Sequence, residues 1–135
     1  MIGDLISFLT IQVCALILIK HFLNIDVLNL HLLSFIIFLG GCYLTYVKQF
    51  IIIDKKYDVS GPELHVGNII FHIIPFIYIW LVYRLDRTHM LETLMYLTIY
   101  LYFFNPKKKY YISDKEYRVY CMFIVIVILL FYMVI

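Results

Sequence analysis

The feature that most constrains this chain is a series of five long apolar runs, each closed by charged or turn-forming residues. They extend over residues 5–23, 28–47, 64–83, 90–104 and 119–135. A helix needs about 20 apolar residues to cross a hydrocarbon core of roughly 30 Å, whereas barrel strands alternate polar and apolar residues over about ten. Continuous runs of this length therefore predict an all-α, polytopic transmembrane bundle of about five helices.

The composition leads to the same surroundings. Of the 135 residues, 64% are hydrophobic and 15% are charged, with a mean hydropathy of +0.94. These are too few polar residues to cover the surface of a soluble globular domain. We therefore expect residues 1–135 to form one integral membrane domain. The run 90–104 is short for a span. Because it gives only about 22 Å of helix, it must thin the membrane, use its flanking residues or re-enter. We retain it as a span.

Basic residues predict the orientation. With five crossings, eight of them fall on the side of the N-terminus and three on the other, out of 11 in total. The first group is Lys48, Lys55, Lys56, Lys107, Lys108, Lys109, Lys115 and Arg118, and the second is Lys20, Arg84 and Arg87. Because cytoplasmic loops carry the excess of Lys and Arg, we expect a cytoplasmic N-terminus in a membrane that the sequence does not specify.

Polar residues within the apolar runs are the most informative positions, since a polar side chain at depth must find a partner. His65, Asn68 and His72 follow the spacing i, i+3, i+7, which confines them to one helix face. This stripe should face protein. Pro75 follows within one turn of His72 and should free a backbone carbonyl beside it.

The first run carries a stripe with the same spacing, formed by Ser7, Thr10 and Cys14, with Gln12 nearby. Because the first and third helices begin on the same side, Thr10 and His72 should lie at a similar depth. We expect one polar layer to contain Thr10, Thr45, Asn68, His72 and Tyr100. The opposite side of the membrane should hold Lys20, His21, His31, His89 and Glu92.

A threonine hydroxyl beside a histidine has a possible chemistry. Thr10 becomes a useful nucleophile if a base such as neutral His72 takes its proton. Asn68, one turn before His72, would fix the histidine tautomer or help to hold an oxyanion. The competing interpretation is that the stripe only joins helices, since Ser and Thr in membrane helices commonly bond backbone carbonyls and polar side chains connect neighbouring helices.

Other chemistries are less well supported by the spacing. His65 and His72 are too far apart to bind one ion without further ligands, and His89 with Glu92 forms only half of a di-metal carboxylate motif. We therefore expect no metal and no cofactor. A proton or ion pathway through His65, His72 and Glu92 remains an alternative. Nothing in the sequence indicates nucleic-acid binding, and the expected partners are membrane lipids.

Several of these residues resemble a known family. Phe8-Leu9-Thr10 in the first run, Asn68-x-x-x-His72, and Pro75-Phe76-Ile77 resemble the androgen-induced-gene family of multispan hydrolases. The resemblance implies an intramembrane Thr10 nucleophile and a His72 base that hydrolyse a lipid ester. The chain departs from the family pattern at Gln12, where an acid is usual, and in having five runs instead of six.

The predicted function is therefore a membrane hydrolase that acts on a lipid ester through Thr10 and His72, with Asn68 in support. The main alternative is a non-catalytic structural or assembly component of an organellar or viral membrane complex, whose partners would be other membrane proteins.

Overall fold

The computed structural model describes residues 8–53, 57–104 and 113–134. The described residues form five helices, and the predicted all-α bundle is confirmed. In chain order the helices are α1 (Leu9–Leu23), α2 (Leu30–Lys48), α3 (Pro62–Val82), α4 (Met90–Phe104) and α5 (Asp114–Val134). The last helix begins at Asp114 instead of residue 119, so Lys115 and Arg118 lie in its first turns and not in the preceding loop.

Helix ends follow local chemistry. Asn24 ends α1 in the left-handed conformation with φ of 54°, and its N–H donates to the Lys20 carbonyl at 3.0 Å. Asn29 caps α2, because its Oδ1 accepts the Leu32 N–H at 3.0 Å. Proline in the first turn of α3 needs no amide partner there, which suits a helix start.

The connection between α2 and α3 differs from the expected loop. It folds as a short antiparallel hairpin of β1 (Phe50–Ile53) and β2 (Tyr57–Ser60). The apolar pattern missed it because runs of four residues are too short for periodicity to distinguish strand from loop. The hairpin brings the chain back to the same side of the bundle at which α2 ended.

Two π-helical segments interrupt the regular helices. One is the end of α2, Tyr43–Lys48, and the other is Ile69–Ile73 inside α3, which contains His72. A π turn inserts an extra residue into the helix and is frequent at functional sites. The apolar runs predict regular helix at both segments, and the structure differs there.

Helix α2 is the centre of the bundle. Half of its span is buried, against 17% of the spans in α3 and in α5. Its side chains Leu32, Leu33 and Ile36 are almost fully buried with Val13 of α1 and Ile79 of α3. Aromatic rings also join α2 to α3, and the Phe38 and Phe76 rings stack with centroids 4.4 Å apart.

The outer surface of the bundle is apolar, as is expected of a protein surrounded by lipid. Leu81 is 80% exposed and Phe22 is 75% exposed, and large hydrophobic side chains are exposed in the same way along α1, α3, α4 and α5. Such a surface exceeds what a soluble monomer presents to water. Helices α2, α3 and α5 are long and apolar enough to cross a bilayer, while α1 and α4 are apolar but shorter. The chain is a membrane protein.

Candidate active site

The centre of the candidate site is a hydrogen bond between α1 and α3. Thr10 Oγ1 lies 3.0 Å from His72 Nε2, although 62 residues separate them in the chain. Thr10 is in the first turn of α1, and His72 is in the π-helical segment of α3. A hydroxyl at this distance from an imidazole nitrogen has the separation that proton transfer to a base requires.

Asn68 and His72 both face the backbone of α2 at Gly41. A Cβ atom placed on Gly41 would lie 2.5 Å from Asn68 Oδ1 and 2.5 Å from His72 Nδ1. Only glycine allows α2 and α3 to approach so closely here. Among the described residues, neither Asn68 Oδ1 nor His72 Nδ1 has a hydrogen-bond partner, and both are buried. Asn68 Nδ2 is 4.0 Å from Cys42 Sγ.

A second contact between α1 and α3 lies beside the first, one turn further along α1 and at the residue before His72 on α3. Pro75 has no N–H to donate to the Phe71 carbonyl, and the Cys14 thiol donates to that carbonyl at 3.8 Å. The freed carbonyl expected beside the site is therefore partnered by the next polar residue of the Thr10 stripe. Together the two contacts fix the rotation of α1 against α3.

Tyr100 of α4 closes the site from another direction. Its hydroxyl accepts the Leu9 N–H at 2.9 Å, and the side chain is only 3% exposed. Because the first amides of a helix have no partner within the helix, this contact also caps α1. Gln12 likewise accepts a hydrogen bond from the Tyr96 hydroxyl, so α4 is joined to α1 twice.

A cavity of about 90 Å³ adjoins the Thr10–His72 pair, and we call it the inner cavity. Its walls are mostly apolar, with a few hydroxyls and one carboxylate. The described lining residues are Leu9, Thr10, Ile37, Gly40, Gly41, Tyr43, Leu44, His72, Leu97, Tyr100, Leu101, Glu116, Tyr120 and Ile124. This volume has room for several waters or for an ester group.

The remaining residues of the expected polar layer and of the two polar stripes are more dispersed. Thr45 is buried in the π-helical end of α2 but does not line the inner cavity. His65 is exposed, and its Nδ1 lies 3.1 Å from the Tyr46 hydroxyl, so it also contacts α2. Ser7 lies outside the described residues.

Three of the five residues assigned to the opposite side line a different cavity, while His21 Nδ1 is hydrogen-bonded to the Tyr78 hydroxyl instead. Lys20, His31 and His89 line this cavity, and Lys20 Nζ pairs with Asp26 Oδ1 at 2.8 Å. His89 Nδ1 is 3.8 Å from Glu92 Oε1. Glu92 is eight residues from Tyr100 on α4, or about 12 Å along the helix. Within the described part of the chain, no three His, Cys, Asp or Glu side chains converge as a metal site would require.

Sequence reasoning missed four residues that shape the site. Gly40 and Gly41 let α2 approach its neighbours, and a Cβ on Gly40 would lie 2.8 Å from the Tyr120 hydroxyl. Tyr43 and Glu116 form part of the cavity wall, with the Tyr43 hydroxyl donating to Glu116 Oε2 at 2.6 Å. The adjacent glycines inside an apolar run were the available signal, since small residues mark close helix contacts in membranes.

Comparisons with protein-family models, with curated proteins and with solved structures found no match.

Proposed function

We propose that this protein is an integral membrane hydrolase that cleaves a lipid ester with Thr10 as nucleophile and His72 as general base. The observation that carries the proposal is the 3.0 Å hydrogen bond between Thr10 Oγ1 and His72 Nε2 beside a cavity. The resemblance to the androgen-induced-gene hydrolases involves the same two residues.

In the proposed first step, Thr10 Oγ1 attacks the ester carbonyl carbon while its proton moves to His72 Nε2. The resulting tetrahedral oxyanion collapses, the bond to the alcohol oxygen breaks, and His72 returns the proton to that oxygen. In the second step, a water gives its proton to His72 and attacks the acyl-threonine. The fatty acid leaves, and the proton returns to Thr10 Oγ1. The position of Thr10 in the first turn of α1 supports the oxyanion, because the helix dipole is positive there.

Asn68 is proposed to position His72. When Nε2 accepts the proton of Thr10, the neutral imidazole carries its own hydrogen on Nδ1. That hydrogen needs an acceptor, and Asn68 Oδ1 is a buried acceptor without a partner among the described residues, packed against the same Gly41 backbone. The two atoms are not bonded to each other in the structure, so a rotation of the Asn68 side chain would have to bring Oδ1 to the Nδ1 hydrogen, where it would fix this tautomer and stabilise the imidazolium formed during the reaction.

The proposed arrangement in the membrane is five crossings with a cytoplasmic N-terminus. Eight basic residues on one side against three on the other support this orientation. In this arrangement the Thr10–His72 pair lies in the cytoplasmic half of the bilayer, where α1 and α3 begin. Membrane lipids would be both the solvent and the substrate source.

The alternative to catalysis is that Thr10 and His72 only join α1 to α3, as polar residues do in other helix bundles. A covalent probe separates the two functions. Purified protein should react with a fluorophosphonate directed at activated hydroxyls, and Thr10→Ala should abolish labelling without unfolding the protein. His72→Ala should slow labelling by about 10²-fold or more, because the base is lost but the pocket remains.

Thr45→Ala is the matched control, since it removes a buried hydroxyl that lies outside the inner cavity. Labelling that persists in Thr10→Ala, or is absent from folded wild type, would contradict the hydrolase. A loss of about 1 kcal/mol of stability in each variant, without any labelling in wild type, would indicate a structural pair.

A further inference from the structure

A second cavity lies directly beside the inner one, between α2 and α5. This outer cavity has a volume of about 560 Å³. Its described lining residues are Leu39, Tyr43, Lys115, Glu116, Val119, Tyr120 and Phe123. Three of these, Tyr43, Glu116 and Tyr120, also line the inner cavity. A wall whose side chains face both cavities is one side chain thick.

Helix α5 contacts the two cavities through two adjacent stripes, of which the second takes part in both linings. Lys115, Val119 and Phe123, at spacing i, i+4, i+8, line the outer cavity. The adjacent stripe Glu116, Tyr120 and Ile124 lines the inner cavity. Each stripe extends over about 12 Å from the charged first turn of α5 toward its apolar part. The stripe of Lys115, Val119 and Phe123 therefore has a cation at one end and apolar side chains beyond it. This order matches a bilayer lipid, which has a polar head group followed by an apolar chain.

The outer cavity is open to the surrounding lipid. Val119 is 58% exposed and Phe123 is 46% exposed, although both line the cavity. The acyl chain of a lipid can therefore enter the outer cavity laterally from the bilayer. The inner cavity, at about 90 Å³, has no room for a long acyl chain, whereas ligand sites usually measure several hundred Å³.

The wall between the cavities is held by polar contacts that side-chain rotation can release. The Tyr43 hydroxyl donates to Glu116 Oε2 at 2.6 Å, and Lys48 Nζ lies 3.4 Å from the same oxygen. The Ser113 hydroxyl donates to Glu116 Oε1 at 3.2 Å. The Tyr120 hydroxyl lies against the α2 backbone at Gly40.

We propose that the outer cavity binds the acyl chain of the ester whose carbonyl Thr10 attacks, and that the chain passes between Tyr43 and Tyr120. This assignment rests on the proposed hydrolase. It places the ester group in the inner cavity beside Thr10 and the acyl chain in the outer cavity, which the chain enters laterally from the bilayer.

The test compares alkyl fluorophosphonates with short and long chains on the full-length protein in lipid nanodiscs. Wild type should label faster with a hexadecyl probe than with an ethyl probe, by at least tenfold, because buried methylenes add affinity. Val119→Trp fills the outer cavity and should remove this preference, so that the hexadecyl and ethyl probes label at similar rates. Met122→Trp is the control, since Met122 is 64% exposed on α5 and does not line the cavity.

A wild type without chain-length preference, or a Val119→Trp variant that retains it, would overturn the acyl site while leaving the hydrolase intact. A Thr10→Ala protein exposed to a long-chain ester with a photoreactive tail gives an independent readout. Cross-links should concentrate at Phe123 relative to Leu81, which faces lipid elsewhere. Equal cross-linking at the two positions would count against the site. Concentrated cross-linking without any fluorophosphonate labelling of wild type would refute the hydrolase, and with it the role given to this cavity.

Discussion

Replacing Gly41 by alanine should separate the catalytic geometry from the fold. The new Cβ would lie 2.5 Å from His72 Nδ1 and 2.5 Å from Asn68 Oδ1. Carbon and its neighbours normally approach to about 3.5 Å, so α2 and α3 must move apart or His72 must turn by about 1 Å. A movement of that size takes His72 Nε2 out of hydrogen-bond range of Thr10 Oγ1, which is now 3.0 Å away.

Two opposing effects set the stability of Gly41→Ala. Overpacking of a filled interface costs about 1–3 kcal/mol, whereas alanine in place of a helical glycine contributes about 1 kcal/mol in favour of the helix. The net loss should therefore be at most about 2 kcal/mol, and the protein should remain folded. A misplacement of about 1 Å in a catalytic pair lowers the rate by about 10²-fold.

The assay is the rate of fluorophosphonate labelling, measured together with thermal unfolding in the same detergent. Gly67→Ala is the control, because a Cβ there meets nothing within 4 Å and Gly67 lies on α3 next to Asn68. We expect Gly67→Ala to label like wild type and to unfold at the same or a higher temperature. If Gly41→Ala labels at the wild-type rate, the close approach of α2 and α3 at Gly41 does not hold His72 against Thr10, which would refute the role given to Gly41.

Three further predictions address the cap of α1, the cap of α2 and the topology in the membrane. Tyr100→Phe removes the acceptor of the Leu9 N–H and should lower stability by about 1–2 kcal/mol and slow labelling, whereas an unchanged unfolding temperature would contradict this. Asn29→Ala removes the α2 cap and the Nδ2 donor to two backbone carbonyls, each at 3.1 Å, and should cost about 2–3 kcal/mol in thermal unfolding. The exposed Asn24→Gly should change stability by only a few tenths of a kcal/mol. Cysteines placed at positions 58 and 109 should label from the cytoplasm and one at 135 from outside, and labelling of 109 and 135 from one side would refute the topology.

Much of the candidate site was predictable because the spacing of residues along a helix determines which side chains share a face. Asn68 and His72 share a face of α3 despite the π turn, and Thr10 contacts His72, as expected for two residues at a similar distance from the start of their helices. The partner of the carbonyl freed by Pro75 follows from the same stripe, since Cys14 lies one turn beyond Thr10.

The wall of the inner cavity was not predictable in this way. Glu116 lies before residue 119, where the last apolar run begins, so the sequence predicts a loop there. Its contact with Tyr43 joins residues that are 73 positions apart. No local pattern specifies such a pair, because it depends on how far α5 extends and on the distance between α2 and α5. Asn29 is a polar residue at the start of the apolar run 28–47, and no local pattern predicts that it is 4% exposed and donates to a backbone carbonyl in the loop before α4.

The sequence by itself determined the helical class, the membrane surroundings and the helix faces on which polar residues lie, because apolar run length and helical periodicity are local properties of the chain. Only the tertiary structure decided which faces meet and how closely. That depended on Gly41, where a missing side chain lets α2 contact the Asn68–His72 face of α3. Distances between helices arise from packing many side chains at once, and no single run of residues contains that information.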